Sequence, residues 1–568
     1  MSTPAEAVRN QDHAAALVGT MVSCGVRHAV ISPGSRNTPL VLAMNALARS
    51  GADLTLHSVL DERSAAFLAL GIARASSTPV ILNCTSGSAG AHYLPALIEA
   101  FHAHVPLIAV TADRPPELQN RGAPQTIDQQ ALFGVHVSKT YTLPPPDGDV
   151  EPVRAVAQEA VYTSMQSGPV HINAQYRKPL WHPGAPGTVD LTQPVSPPSK
   201  AQAASASDLS ELVRRIQGSH RGVFVWGPDP DPTLEVAGIL ALATHLKWPI
   251  LSDPTAPPRF RTPQADHLIS THDALLRDPT RADQLAADLV IQLGGTPSSN
   301  ALRAWVGAAP DVIAIDPHGV WRDPEHSLKT LIHADPEQVA RAAKAQLPER
   351  TDTTWADAWA AQDAQAAHAL DAACADGWWS GAIVQTILRG LPQGSLLNVA
   401  SSMPIRDVDS FGRPQAQTLQ VVASRGVNGI DGTIATSLGL ARAWADGPMV
   451  AMMGDLAFLH DHASLLLAGP PAVLVVIDNG GGGIFEYLPI ASHPEAFEQW
   501  FLTAQQADIP ALCAAHGVSC TTAQSVGTLT EALQEALSTP HTSVIYLQVD
   551  RAEDRQRHRD AWQAAAEQ

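Results

Sequence analysis

The sequence predicts an α/β protein of three domains, each a parallel sheet flanked by helices, with the first and third domains homologous to one another. Three observations lead there. Short apolar runs alternate with helix-length amphipathic stretches along most of the chain, the pattern of buried parallel strands joined by helical crossovers. Beyond Trp181 the composition turns to Pro, Gly, Ser and Thr, which cannot build a core and marks a linker. A stretch near the start of the chain also recurs near its end at an almost constant offset.

Taken in order, residues 1–185 form the first domain, with strands expected at 28–31, 79–82 and 106–110. A linker covers 186–207. The middle domain, 208–350, carries the apolar runs 222–227, 288–293 and 312–316. The third, 351–568, opens on an Ala-rich amphipathic helix near 355–373 and continues through strands at 421–422, 449–452, 473–477 and 543–547. The repeat joins the outer two. Leu70-Gly71-Ile72-Ala73-Arg74-Ala75 matches Leu438-Gly439-Leu440-Ala441-Arg442-Ala443, and each hexamer is followed by a Pro-led strand, a turn, a helix and a further strand. Four ordered elements in register point to duplication and to a site built from both copies.

Composition narrows the function. Lys+Arg number 36 against 55 Asp+Glu, a net charge of −19, and no basic cluster interrupts that balance, which speaks against nucleic acid or an anionic membrane as partner. Any anionic ligand has to be held by placed arginines. No apolar run approaches the roughly 18 residues of a membrane span, and the start lacks a basic segment followed by an apolar one, so a cytoplasmic protein without membrane insertion is expected. The five cysteines, Cys24, Cys84, Cys374, Cys513 and Cys520, include no C-x-x-C pair and read as small buried hydrophobes.

The strongest chemical signal lies in the third domain. Gly454-Asp455-Leu456 follows one apolar strand and Asp478-Asn479-Gly480-Gly481-Gly482-Gly483 follows the next. Both therefore stand at carboxyl ends of neighbouring strands, where open parallel sheets bind ligands. The Asp455 carboxylate, the Asn479 amide oxygen and the Gly481 carbonyl make an all-oxygen set suited to Mg²⁺ or Mn²⁺, with phosphate oxygens completing the shell. His460-Asp461-His462 reads as a solvent or hydrogen-bonding segment, because helical residues two apart face differently. Thr85-Ser86-Gly87 at a strand-to-helix turn has the form of an anion-binding helix start or of a plain turn.

The Gly454-Asp455 pair, the helix-length spacer and the Asn-Gly turn resemble the thiamine-diphosphate signature of the decarboxylase and acetolactate-synthase superfamily, whose homologous pyrimidine-binding and diphosphate-binding domains flank a middle domain. Leu456 and Asp478 stand where that signature has Gly and Asn. Within the superfamily, five blocks are similar to the 2-succinyl-5-enolpyruvyl-6-hydroxy-3-cyclohexene-1-carboxylate synthase family of menaquinone biosynthesis. They are residues 32–40 (SPGSRNTPL), 61–65 (DERSA), 111–118 (TADRPPEL), 424–432 (SRGVNGIDG) and 483–485 (GIF).

The resemblance implies a homodimer or homotetramer with intersubunit sites. It also implies thiamine diphosphate with a divalent cation, and 2-oxoglutarate and isochorismate as substrates. It assigns Glu62 as the acid at the cofactor's pyrimidine ring. On the residues alone, Glu62 reads first as an acid at a helix N-terminus, stabilised by the macrodipole. Ile430, 368 positions further on in the repeat, is implied to prop the cofactor in its bent form. Ser402, Gly454, Ile484 and Phe485 are implied as further cofactor contacts. Ser35, Arg36, Arg114, Gln125, Arg406 and Arg425 are implied on the substrates, with Gln125 at the reacting intermediate. Two carboxylates on each substrate suit the planar fork of arginine. Pro124 and Asn300 depart from the family's Asn and Lys. The remaining readings are a related enzyme acting on another 2-oxo acid, or a cofactor-binding regulator without chemistry, for which Glu62 has no use.

Overall fold

A computed structural model of the chain describes residues 4–183, 191, 202–229, 231 and 234–567. Most of the expected linker at 186–207 lies outside the described residues; a helix begins at Ala206. By compactness the chain forms two units. One comprises residues 1–199, 426–444 and 460–470; the other comprises 200–425, 445–459 and 471–568.

The described strands build three six-stranded, all-parallel sheets. The first runs, in spatial order, Thr55–Ser58, His28–Ile31, Val80–Cys84, Leu107–Asp113, Val170–Gln175, Lys139–Leu143. The third runs Gln420–Val422, Leu396–Val399, Met449–Gly454, Ala472–Asp478, Thr542–Gln548, Ser519–Ala523. Numbered within each sheet, both have the order 2-1-3-4-6-5, so the repeat read from the hexamers extends to complete topology. The middle sheet, Thr330–His333, Val312–Asp316, Leu289–Leu293, Gly222–Trp226, Ile250–Ser252, Leu268–Ile269, is wound 3-2-1-4-5-6 instead, as in dinucleotide-binding folds. Its switch-point crevice is closed: Gly295 N–H donates to the Pro228 carbonyl at 2.7 Å, and Asp253 Oδ2 accepts from Ser298 N–H at 2.9 Å.

The helix Thr354–Cys374, expected to open the third domain, packs on the middle sheet. Trp359, Ala366 and Leu370 share a core with Val223, Val225, Leu251 and Val290, joined there by Ala561 and Ala565 of the C-terminal helix Arg551–Glu567. The apolar face of Thr354–Cys374 buries against that sheet. Cys84, Cys374 and Cys513 are buried, as their apolar reading requires, while Cys24 and Cys520 are half-buried.

Inside the first unit two helices meet at glycines. A Cβ on Gly71, in the helix Glu62–Ser76, would collide with the Thr436 carbonyl, and one on Gly439, in Thr433–Ala443, with the Leu68 carbonyl. The duplicated hexamers therefore pack on each other backbone to backbone.

Three histidines of the same unit, His13 and His171 buried and His57 half-buried, are held neutral. Burial lowers His13 to about 4 and His171 to about 3; His57, stacked against His28, is lowered to about 4 by burial and by the His28 and Arg442 charges. Folded-state values below the unfolded value of ~6.5 mean stability that is complete above pH ~6.5 and declines as the pH falls toward 4 and 3. By pH 5, His171 alone is expected to cost about 2 kcal/mol. Urea unfolding between pH 5 and 8 checks this. His171→Gln, which keeps a partner for Thr111 Oγ1 (2.8 Å from the ring), should flatten the acid limb.

Candidate active site

In a sheet ordered 2-1-3-4, strand order reverses between strands 1 and 3, and the loops leaving those two strands part to form a crevice. In the third sheet those loops hold Ser401–Ser402 and Gly454–Asp455. Ser402 has φ +79°, a sparsely populated conformation for a side-chain-bearing residue, and stands at the N-cap position of the helix Met403–Phe411 without a side-chain cap bond. Asp455 is 5 % exposed. Because Gly454 pairs with Ile477 across parallel strands, Asp455 faces Asp478 at the next position. Burial and the Asp478 carboxylate push Asp455 up to about 7. Asp478 is itself held, Oδ1 by Gly480 N–H at 2.9 Å and Oδ2 by the Tyr546 hydroxyl at 2.5 Å.

These residues fit a divalent cation. Asn479 Oδ1 is buried without a hydrogen-bond partner, and two carboxylates face one another in the same place, both of which a cation would relieve. Gly481 takes φ +130°, and a Cβ there would strike the Leu502 carbonyl, so only glycine passes beneath that loop. Its carbonyl already accepts from Gly483 N–H at 2.9 Å and keeps one lone pair. Ile484 and the ring of Phe485, which packs edge-on against Phe501 at 5.5 Å, follow in a short 3₁₀ turn, both half-buried.

The arginines fall into two pairs. Arg406 lies close enough to Arg425 that the two charges, with burial, lower the Arg406 pKa, and its Nη1 donates to the Ser402 carbonyl at 2.7 Å. In the other unit Arg36, 6 % exposed, is lowered by burial and by Arg114, with Asp113 opposing. Arg36 sits in the loop after His28–Ile31, and Thr85-Ser86 follows Val80–Cys84, so this too is the switch point of its sheet. Like charges near one another, buried in the first-sheet pair and half-buried in the third-sheet pair, are what a carboxylate between them would stabilise.

The first-sheet loops are braced by side chains that the sequence reading passed over. Asn37 accepts from Gly34 N–H at 2.9 Å and donates to Ser32 O and Asn83 Oδ1 at 3.2 and 2.8 Å. Buried Gln129 accepts from Gly87 N–H at 2.8 Å and donates to Asn173 Oδ1 at 3.0 Å. The turn at Gly87 is thus occupied by Gln129. Arg114 Nη1 donates to Ser86 Oγ and, at 2.9 Å, to the carbonyl of Gln125, which has φ +53° and an exposed side chain. Ser35 is exposed, its carbonyl accepting from the Thr38 hydroxyl at 2.8 Å. Their partners Asn83 and Asn173, polar residues inside buried strands, are the trace these braces leave in sequence.

Glu62 is the first residue of its helix and half-buried; its neighbour Asp61 supplies the cap, accepting from Arg63 N–H at 2.9 Å and Ser64 Oγ at 3.0 Å. Asp61 thus supplies the cap bonds, and Glu62 stands beside it as the acid of the first turn. The helix head is clamped from 400 residues away: Arg63 donates to the His460 carbonyl at 3.1 Å and to Asp461 Oδ1 at 3.3 Å, and Ser64 Oγ pairs with Ser464 Oγ at 2.8 Å. Asp461, fully buried, also accepts from Ala435 N–H at 2.8 Å. The His460-Asp461-His462 segment is thus structural, and among the described residues no group of three or more His, Cys, Asp or Glu could hold a metal. Ile430 is half-buried in the loop ahead of Thr433–Ala443. The expected residues therefore divide into Ser35, Arg36, Glu62, Arg114, Gln125 and Ile430 in one unit and Ser402, Arg406, Arg425, Gly454, Asp455, Asn479, Gly481, Ile484 and Phe485 in the other.

Residues 11–132 match the thiamine pyrophosphate enzyme, N-terminal TPP binding domain; residues 199–399 match the middle domain of thiamine pyrophosphate; residues 409–547 match the C-terminal TPP binding domain. The fold is also that of benzoylformate decarboxylase from Polynucleobacter necessarius, with a TM-score of 0.71 at 17 % identity over 95 % of this chain and 99 % of that one. Three proteins named 2-succinyl-5-enolpyruvyl-6-hydroxy-3-cyclohexene-1-carboxylate synthase align along most of the chain. That of Geobacillus kaustophilus is 37 % identical over 98 % of this chain and 97 % of its own length. That of Listeria innocua is 34 % identical over 98 % and 97 %. That of Bacillus pumilus is 39 % identical over 86 % and 85 %. Identity at this level over three domains, with cofactor-binding domains matched before and after the middle domain in sequence, means that the chain belongs to the 2-succinyl-5-enolpyruvyl-6-hydroxy-3-cyclohexene-1-carboxylate synthase family of thiamine-diphosphate enzymes.

Proposed function

We propose that this chain decarboxylates 2-oxoglutarate and joins the remaining succinyl unit to isochorismate, as the synthase of menaquinone biosynthesis. We place it in the cytoplasm as a homodimer or homotetramer whose sites are completed by a second copy. The observation that carries the reading is the two arginine pairs, Arg36/Arg114 and Arg406/Arg425, in a chain of net charge −19. One oxo acid with a single carboxylate needs one such cation; two dicarboxylates need this set.

Thiamine diphosphate, when bound, supplies the carbon nucleophile and the electron sink for loss of CO₂. Asp455, Asn479 and the Gly481 carbonyl hold Mg²⁺ or Mn²⁺, and Gly454 and Ser402 face the diphosphate. Glu62 keeps a proton at the pyrimidine nitrogen. Ile430, Ile484 and Phe485 exclude water and shape the cofactor's apolar surroundings. Ser35 and Gln125 orient the substrates between the arginines.

Carbon dioxide release from 2-oxoglutarate, with isochorismate loss followed in the same tube, tests the reading. Turnover requiring both substrates, the cofactor and the cation supports it; cofactor binding with neither substrate consumed overturns it. Arg36→Leu and Arg406→Leu are each expected to raise KM for one of the two substrates by about 30-fold or more, the lower end of the cost of removing a buried charge partner. Initial rates with each substrate varied in turn check that split.

A further inference from the structure

The duplication is asymmetric at one place. In the first copy Arg74 Nη2 donates to Glu99 Oε1 at 3.2 Å. In the third copy the residues 368 positions on, Arg442 and Leu467, are again bonded to one another, Arg442 Nη2 donating to the Leu467 carbonyl at 2.6 Å. The arginine keeps its partner position, but only the first copy puts a carboxylate there. Glu99, on the helix Leu94–His102, is 2 % exposed. Its Oε1 also accepts from Gly426 N–H at 2.9 Å, and its Oε2 from Val427 N–H at 2.8 Å.

A buried carboxylate is costly unless its lone pairs are filled and its charge opposed. Here one guanidinium and two backbone donors do both, and the two donors open the segment that leads to Ile430. The Val427 and Asn428 side chains are exposed and Asn428 has φ +62°, so side-chain burial does not set this stretch. The arrangement is reciprocal. Asp461 and Ser464 from the third part hold the helix head that bears Glu62; Glu99 from the first part holds the loop that bears Ile430. Glu62 and Ile430 are themselves 368 apart.

We infer that Glu99 is a positioning residue for the proposed reaction: its carboxylate fixes the backbone of residues 426–430 and so places the Ile430 side chain. The inference rests on the function proposed above for the role of Ile430. An ion pair that served stability alone would leave the chemistry per folded site untouched.

Glu99→Gln tests it in the full-length protein. The amide is isosteric, but its NH₂ faces a backbone N–H where an oxygen stood, so one of the two loop bonds is lost. Exchange of the cofactor's C2 proton for deuterium, per bound thiamine diphosphate, is expected to fall roughly 10- to 100-fold, as small misplacements in active sites do. The kcat should fall in parallel, with KM for 2-oxoglutarate within about twofold of the parent. Amide exchange of the 426–430 segment, measured without cofactor, should become faster.

Gly426→Ala provides a second route, since its Cβ would stand 2.6 Å from the Glu99 carbonyl and 3.0 Å from Oε2 and push the same loop. It is expected to show the same split and decides the matter if Glu99→Gln does not fold. Lowered melting temperature with unchanged C2 exchange and kcat per folded site overturns the inference. C2 exchange needs no substrate, so a parent chain that exchanges but consumes neither proposed substrate overturns the function alone.

Discussion

Glu62→Gln is expected to bind thiamine diphosphate and the divalent cation with parent affinity while C2 proton exchange and turnover fall by roughly 10³-fold, the scale of a lost general acid–base group. The expectation rests on where the helix cap falls. Asp61 satisfies the helix N-terminus and the Arg63 and Ser64 contacts, so removing the Glu62 charge disturbs neither the cap nor the clamp to Asp461 and Ser464. Asp61→Ala offers the contrast: a loss of stability of ~1 kcal/mol with chemistry largely retained. Cofactor titration by fluorescence quenching, together with deuterium exchange at C2, separates the two. Parent-like exchange in Glu62→Gln would remove the assigned role.

The second large effect is at Asp455. Asp455→Asn is expected to weaken cation-dependent binding of thiamine diphosphate by about 100-fold, equivalent to ~2.7 kcal/mol. The same substitution should raise the melting temperature of the cofactor-free protein, because it removes one of two opposed carboxylates that nothing then neutralises. Opposite signs in the free and loaded forms are the diagnostic. Thermal melts with and without cofactor and Mg²⁺ measure both, and a fall in both forms would mean that the pair is a structural feature and not a cation site.

Much of this molecule was legible in the sequence because its signals are local. Parallel strands buried on both faces write themselves as apolar runs, and the central strands, such as Leu107–Asp113, Leu289–Leu293 and Ala472–Asp478, fall where those runs do. Three edge strands of the first and third sheets escaped, while the edge strand Gln420–Val422, apolar at Val421-Val422, did not. Thr55–Ser58, Lys139–Leu143 and Ser519–Ala523 are half-exposed and polar in alternation, so they carry no continuous run. Inner strands such as Val170–Gln175, which reads VHINAQ, were missed because their polar residues are buried in hydrogen bonds to one another, as Asn173 is to Thr111 and Asp113. The helix at Thr354–Cys374 was legible as a helix but not in its allegiance, since periodicity shows that a face is apolar and says nothing of which sheet it covers.

The candidate site divides in the same way. By itself the sequence determined the duplicated α/β architecture, the strand-end positions of Asp455 and Asn479, the family, and the need for placed arginines in an acidic chain. All of these follow from residue type and short spacing. Only the tertiary structure decided that the arginines stand in two like-charged pairs, that Asp61 and not Glu62 caps its helix, that Gln129 fills the Gly87 turn, and that Glu99 grips backbone 327 residues away. A hydrogen bond between distant segments depends on the packing that brings them together. Here that packing is the meeting of two helices at Gly71 and Gly439, whose missing side chains let one repeat copy come within reach of the other's loops.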